Sequence, residues 1–298
     1  MSQVSHVEPA RPPKAGETNT GTREASVLGG LGRASLVLAA VLLAGQGLSA
    51  QWLKYPTPRV PRTTAGAPDL TAPAPRATDG KPDFSGIWEP VKNRRCPPNG
   101  CFDMEVSEQF FNIGWSLKGG LPYQAWAANA VKERTEQNGK DDPVTHCQPP
   151  SVLQMHTSPQ LRKFLRLPDL LVMLNEFALG YRQIFTDGRP LPADPNPSFN
   201  GYSSGRWDGD TLVVETIGFK DGLWIDRNGS PLTDAAKLTE RFRRVNYGRL
   251  EIEVTVDDPK AYTAPWTIML GFNIVLDTDL LEYVCVENER DAPHLVGK

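Results

Sequence analysis

The sequence has no run of basic residues, and its 32 Lys and Arg are offset by 35 Asp and Glu, for a formal net charge of −3. Nucleic acids and anionic membranes bind proteins through clustered positive charge, so neither is expected as a partner. Histidine is scarce, with four residues and no closely spaced pair of the kind that holds zinc. We therefore expect no metal and no cofactor.

No apolar run is long enough to cross a membrane comfortably, because a spanning helix needs about 20 apolar residues. The longest run, residues 34–44 (ASLVLAAVLLA), follows Arg33 and precedes the small residues GQGLSA. This pattern is typical of a secretory signal peptide. We expect residues 1–50 to be removed after Ala50, which leaves no membrane span in an exported protein, periplasmic or secreted. An uncleaved anchor and a buried helix are the alternatives.

Cysteine is limited to four residues, and all of them follow the predicted cleavage point, where disulfides persist. Cys96 and Cys101 flank Pro-Pro-Asn-Gly, a turn-forming insert that would bring their sulfurs together. Cys147 then remains to pair with Cys285. A zinc site is a weaker alternative because the spacing is not a paired C-x-x-C pattern. Two free buried thiols at positions 147 and 285 are a further alternative.

The distribution of proline separates a proline-rich segment from the rest of the chain. Residues 51–82 contain seven prolines and little to bury, so we predict an extended tether there. A single domain is expected over 83–290, followed by a C-terminal tail at 291–298.

One helix is predicted, as an insertion at about 121–138 after the first strand. The segment 123–137 (YQAWAANAVKERTEQ) is rich in helix formers, follows Pro122 and ends at Asn138-Gly139. Trp126 and Ala130 place an apolar stripe on one side of this helix, which predicts that it packs on the outside of the domain.

The remaining segments have the patterns of β-strands. The run 170–174 (LLVML) predicts a strand buried on both faces, and 249–256 alternates apolar and polar residues. Asp208-Gly209 lies between two strand-like runs and predicts a tight hairpin, because both turn residues need positive φ. Further strands are predicted at 83–88, 181–185, 210–216, 237–245, 266–272 and 281–287. Short turns between successive strands predict an all-β, mainly antiparallel meander barrel of the lipocalin/calycin type.

The domain resembles a large group of uncharacterised exported bacterial proteins. The motifs that carry the resemblance are DFSGIW (83–88), TDGR (186–189), GYSSGRWDGDTLVV (201–214), ERFRR (240–244) and DPKAYTAPWT (258–267). Members of the group usually have histidines where this chain has Leu191 and Leu232. The resemblance implies an exported domain and assigns no activity to it.

A looser similarity connects the chain to lipocalin-type barrels. These barrels begin with a Gly-x-Trp on the first strand, which Gly86-Ile87-Trp88 matches. They also close the barrel floor with an Arg from a late strand. The resemblance implies a meander barrel that binds a small molecule.

Several charged residues are out of place on apolar strand faces. Alternation puts Glu240 on the face shared by Leu238 and Phe242, where a carboxylate needs a partner such as Arg182 or Arg244. Such buried pairs are most often structural. The catalytic alternative uses Glu240 or Glu176 as a general acid/base with a raised pKa, together with Arg182 and Asp187.

Gly201-Tyr202-Ser203-Ser204-Gly205 matches the G-x-S-x-G pattern of a nucleophilic serine. That motif acts only in a strand–turn–helix, whereas this segment enters a hairpin strand. We interpret it as a Gly/Ser-rich strand start. The histidines His146, His156 and His294 are expected in loops or on the surface.

Aromatic residues are concentrated late in the chain, and aromatics at a barrel mouth suit a flat apolar or carbohydrate ligand. The candidate ligand-binding residues are Trp207, Tyr262, Trp266 and Arg244. The sequence therefore favours an exported small-molecule-binding barrel. The alternatives are a metal-independent lyase, isomerase or hydrolase that uses carboxylates and Arg, and an envelope-associated interaction module.

Overall fold

The computed structural model of the chain describes residues 56–95, 105–283 and 285. The strands in these ranges are β1 (Gly86–Pro90), β2 (Arg162–Leu167), β3 (Leu170–Asn175), β4 (Tyr181–Phe185), β5 (Tyr202–Asp208), β6 (Thr211–Ile217), β7 (Leu223–Trp224), β8 (Pro231–Leu232), β9 (Lys237–Arg244), β10 (Arg249–Asp257) and β11 (Trp266–Val275). The helices are α1 (Glu108–Phe111), α2 (Ala125–Glu136) and α3 (Val152–Thr157), with 3₁₀ turns at Pro143–His146 and Phe177–Leu179.

Nine strands form a closed barrel in the order β1-β2-β3-β4-β5-β6-β9-β10-β11, and β11 pairs back with β1. Neighbours follow chain order, as in a meander, and the β7–β8 hairpin is inserted between β6 and β9. The predicted all-β barrel with a helical insertion is confirmed.

The odd number of strands in the closed barrel requires at least one parallel pair of neighbours. Strand direction cannot alternate all the way around a closed ring with an odd number of strands. The parallel pair is β4 with β5, where Ile184 is opposite Ser203 and Phe185 is opposite Ser204. The connection 186–201 must therefore return along the barrel before β5 begins, and this seam is paired over only two residues of each strand.

The predicted hairpin and alternation hold in the antiparallel part, but the turn lies one residue later than predicted. Asp208 is the last residue of β5 and pairs with Thr211, so Gly209 and Asp210 form the turn. Gly209 has a φ of 60°, which favours glycine, and the second turn residue does not have a positive φ. Ile252, Val254 and Val256 of β10 are buried on one face, as the alternation of the sequence predicts.

Two strand predictions are wrong. The run 170–174 is not buried on both faces: Leu171 and Met173 are buried while their neighbours are half-buried, because a barrel strand has an inward and an outward face. The last described strand is β11, so the strand predicted at 281–287 is absent from 281–283, and Cys285 lies in a turn.

The predicted helical insertion is α2, but its contacts differ from the predicted stripe. Ala127 is its buried residue, whereas Trp126 is 48% exposed. The Trp126 indole Nε1 donates to the carbonyl of Lys260 at 2.7 Å. A polar contact, rather than an apolar stripe, therefore anchors the start of this helix.

The described part of the predicted tether, 56–82, is folded against the barrel. Arg76 pairs with Asp210 at 2.6 Å, next to the β5–β6 turn. Leu70 and Ala72 accept backbone hydrogen bonds from the β9–β10 turn, each at 2.8 Å. The prolines lower the conformational entropy that this segment loses on folding. The hydrogen bonds and the ion pair hold it against the barrel although it buries little apolar surface. Residues 56–82 are therefore not an extended tether.

A disulfide joins Cys147 to Cys285, with their Cα atoms 5.5 Å apart. The predicted pairing is confirmed for these two residues. Cys96, Cys101, the predicted signal peptide 1–50 and the tail 291–298 lie outside the described residues. None of the described helices is long and apolar enough to cross a membrane.

Candidate functional site

A buried ion pair joins β4 to β9 inside the barrel. Strand alternation turns Arg182 and Glu240 inward, and they are 2% and 0% exposed. Arg182 donates from Nη1 to Glu240 Oε1 at 2.9 Å and from Nη2 to Oε2. Of the two partners that the sequence allowed for Glu240, the structure selects Arg182.

Two hydroxyl groups complete the surroundings of Arg182. Its Nε donates to Ser203 Oγ at 3.1 Å, and its Nη2 donates to Thr216 Oγ1 at 2.8 Å. Ser203 and Thr216 are in turn 3.0 Å apart. Each guanidinium nitrogen therefore has an acceptor, which is the condition under which a buried charge is tolerated.

Helix α3 brings a histidine to the same carboxylate. The helix begins with a capping box between Ser151 and Gln154, and every one of its residues is buried. His156 Nε2 is 2.8 Å from Glu240 Oε1. The prediction of a loop or surface histidine is wrong here; the Ser151-x-x-Gln154 pattern was the one sequence feature that could have placed His156 on a buried helix.

The electrostatics keep Glu240 ionised. Burial alone raises the pKa of its carboxyl, but the charge of Arg182 and the hydrogen bonds from His156 and Arg182 outweigh burial and lower it to about 2. A general acid needs the opposite shift. Glu240 thus acts as a permanent acceptor that orients its neighbours.

His156 is held neutral. Burial lowers the pKa of its imidazole, and the nearby positive charges of Arg182 and Arg162 lower it further, although Glu240 opposes them. An ionised carboxylate only accepts hydrogen bonds. The proton of the neutral imidazole is therefore on Nε2, and Nδ1 carries a lone pair.

A cleft of about 460 Å³ opens at the β4–β5 seam. It exists because the parallel strands pair over two residues and then diverge towards the start of β4. Two residues of the buried cluster, Arg182 and Ser203, are among its lining residues. The other lining residues are Pro149, Ala178, Leu179, Gly180, Tyr181, Gln183, Phe185, Ser198, Phe199, Asn200, Gly201 and Tyr202.

The rim of this β4–β5 cleft is strained. Ala178 and Leu179 have φ values of 53° and 48°, a conformation that is unfavourable for residues with a side chain. Gly201 has a φ of 64°, and a Cβ there would be 2.7 Å from the carbonyl oxygen of Ile217. Strained backbone of this kind is concentrated at ligand-binding sites.

The cleft is lined by aromatic rings and, apart from Arg182, by uncharged residues. Phe185 and Tyr202 stack with ring centroids 5.3 Å apart. The Oδ1 atom of Asn200 is buried and has no hydrogen-bond partner among the described residues. Arg182 is the one charged lining residue, and Glu240 compensates its charge.

Glu176 and Asp187 lie away from this cluster. Glu176 accepts hydrogen bonds from the backbone N–H groups of Leu161 and Leu281, at 3.0 and 2.7 Å, and so ties the C-terminal segment to the barrel. Asp187 is exposed and pairs with Arg189 at 2.6 Å, which lowers its pKa. Of the four candidate catalytic residues, the structure brings together Arg182 and Glu240.

The candidate ligand-binding residues are placed elsewhere on the barrel. Trp207 stacks on Phe84 at 5.6 Å, and Tyr262 and Trp266 make an edge contact at 5.5 Å. Arg244 lies against the first strand. None of these four lines the β4–β5 cleft.

The serine of the G-x-S-x-G pattern is structural. Ser203 is buried within β5 and binds Arg182 and Thr216, so it is not on the strand–turn–helix that the motif requires. Among the described residues, no group of three or more His, Cys, Asp or Glu is placed to hold a metal ion. No family model and no curated protein matches the chain.

Proposed function

We propose that the protein is an exported binding protein for a small neutral ligand with a flat apolar face and a hydroxylated edge, such as a carbohydrate-like molecule. The ligand occupies the β4–β5 cleft. The observation that carries the proposal is the composition of this cleft: aromatic rings, a buried amide oxygen without a partner, and no uncompensated charge.

Size and shape support ligand binding. Small-molecule sites have volumes of about 300–1,000 Å³ and combine apolar walls with a few polar groups, and this cleft has about 460 Å³. Tyr181 and Tyr202 offer ring faces, and the ligand's hydroxyl donates to Asn200 Oδ1. The inside of the barrel near Glu240 is occupied by α3, so the cleft in the wall, rather than a central cavity, is the binding site.

Export is supported by the disulfide between Cys147 and Cys285, because such bonds persist in oxidising compartments. The apolar run at 34–44, with its basic and small-residue flanks, agrees with this destination.

The test is native mass spectrometry of protein purified from the exported fraction of its host, followed by titration calorimetry with cellobiose and 4-nitrophenyl glucoside. We expect a bound neutral molecule or saturable binding of at least one probe. Tyr181→Ala should weaken binding roughly fivefold, since aromatic contacts contribute about 1 kcal/mol.

Leu167→Ala is the matched control. Both side chains are outward-facing on barrel strands, Tyr181 64% and Leu167 49% exposed, but Leu167 does not line the cleft. Its binding should equal that of the wild type. Absence of any bound molecule together with flat titrations, or equal losses in the two variants, would show that the cleft is not a ligand site.

A further inference from the structure

A second pocket lies between α1 and β11, and His156 of the buried cluster is one of its lining residues. This α1–β11 pocket has a volume of about 130 Å³. Its polar lining includes Ser107, Gln109, His156 and Arg249, and its apolar walls include Phe272. It does not share a lining residue with the β4–β5 cleft.

Two of the residues that line this pocket carry a buried polar atom without a partner. Ser107 is 4% exposed and His156 is 1% exposed. The Ser107 hydroxyl and the His156 Nδ1 atom have no hydrogen-bond partner among the described residues. A buried polar atom without a partner is unfavourable. Two such atoms on residues that line one pocket indicate that a bound molecule supplies the missing bonds.

The tautomer of His156 determines which hydrogen-bonding group the bound molecule must carry. Glu240 is an ionised carboxylate and accepts from Nε2, so Nδ1 of the neutral ring is an acceptor. The complementary group is therefore a donor, and the Ser107 hydroxyl can donate to it or accept from it. A hydroxyl group meets both requirements with one oxygen.

The one permanently charged residue of the pocket lining, Arg249, is held by neighbouring side chains. Arg249 Nη1 donates to Asn273 Oδ1 at 3.3 Å, and Arg249 Nε is 3.6 Å from Glu251 Oε1. Glu251 also pairs with Arg243 at 2.8 Å, so one carboxylate faces both guanidinium groups. A volume of about 130 Å³ limits the occupant to a few heavy atoms, since one water molecule takes about 30 Å³.

We propose that the α1–β11 pocket binds a small neutral molecule through a hydroxyl group, which donates a hydrogen bond to His156 Nδ1 and meets the Ser107 hydroxyl. Glu240 is a positioning residue in this site, since it sets the tautomer of His156 without touching the ligand. The site is independent of the β4–β5 cleft.

The test uses protein labelled with ¹⁵N-histidine, with the imidazole nitrogens observed by NMR near pH 7. The probe is ethylene glycol, and the matched control is 1,2-dimethoxyethane, which keeps the O–C–C–O skeleton and lacks the O–H. We expect the resonance of an unprotonated Nδ1 in His156 and its saturable shift with ethylene glycol alone. The exposed His146 serves as the internal control and should not respond.

Ser107→Leu fills the pocket and should weaken the response about tenfold, while the Nε2–H resonance bonded to Glu240 reports that the core is intact. Tyr181→Ala should leave the response unchanged, which separates this site from the β4–β5 cleft. A proton on Nδ1, an equal shift with 1,2-dimethoxyethane, no shift at all, or a full response in Ser107→Leu would each overturn the proposal.

Discussion

Arg244 at the end of β9 lies over Trp88 of β1, with its guanidinium carbon 4.9 Å from the ring centroid. Its Nη2 donates to the carbonyl of Tyr247 at 2.7 Å, and its Nη1 donates to the carbonyls of Asp83 and Ser85. The Gly-x-Trp of the first strand thus meets an Arg from a late strand. These contacts explain why Arg244 is free neither for Glu240 nor for the cleft.

Arg244→Met should lower the free energy of unfolding by about 2–4 kcal/mol, because buried carbonyls lose charged donors. Arg244→Lys should recover little of this loss, since one ammonium cannot replace a planar fork of donors. Urea unfolding measures both variants. The control is Arg243→Met, whose side chain is 61% exposed on the same strand and should change stability by less than about 0.5 kcal/mol. Similar losses at both positions would contradict the role of Arg244.

From the buried cluster we predict that the free energy of unfolding decreases as the pH is lowered. The pKa of Glu240 is about 2 in the folded chain, against an ordinary 4.5. The unfolded chain therefore binds a proton where the folded chain does not, so this contribution is complete above about pH 4.5 and is lost as pH falls towards 2. The pKa of His156 lies below its ordinary 6.5, which adds a loss of the same sign from about pH 6.5 downwards.

Urea unfolding at a series of pH values measures this dependence. In Glu240→Gln the chain should be less stable near pH 7, and its further loss of stability below about pH 4.5 should be smaller than in the wild type. Glu253→Gln, on the outward face of β10, is the matched control and should keep the wild-type profile. An unchanged acid profile in Glu240→Gln would show that the carboxylate is not the titrating group.

The disulfide between Cys147 and Cys285 closes a sequence separation of 138 residues. In the chain-entropy model such a link stabilises a fold by roughly 4–5 kcal/mol. The double variant Cys147→Ser/Cys285→Ser should lose stability of this order in urea unfolding under oxidising conditions.

Cys96→Ser/Cys101→Ser is the comparison. Only four residues separate these two cysteines, so loss of a bond between them should cost less. Thiol titration of the denatured, unreduced protein should find no free thiol. Titration of all four cysteines, or equal losses in the two double variants, would contradict this prediction.

Gly201 holds the strained start of β5 at the cleft. Gly201→Ala should destabilise the protein by more than about 1 kcal/mol, because its φ of 64° and the carbonyl of Ile217 leave no room for a Cβ. It should also weaken ligand binding, since Gly201 lines the cleft. Gly188→Ala is the control: its φ is 81°, but no atom lies within 4 Å of the added Cβ. If thermal unfolding shows the same loss of stability in both variants, the positive φ alone, and not the contact with Ile217, accounts for the destabilisation.

The sequence by itself determined the features that depend on neighbours along the chain. The alternation of Ile252, Val254 and Val256, a tight turn at Gly209 and the helix after Pro122 were all predictable, because side-chain periodicity and turn residues act over a few positions. It also identified Glu240 as a buried charge in need of an arginine.

Only the tertiary structure decided which arginine and which histidine meet Glu240. Arg182 and His156 are 58 and 84 positions away in the chain, and local patterns carry no information about such pairings. The number of strands in the closed ring is likewise a property of the whole domain. Because that number is odd, at least one neighbouring pair must run parallel, and in this barrel it is β4 with β5. The weakly paired seam between these two strands opens the cleft, which no segment of the sequence predicts.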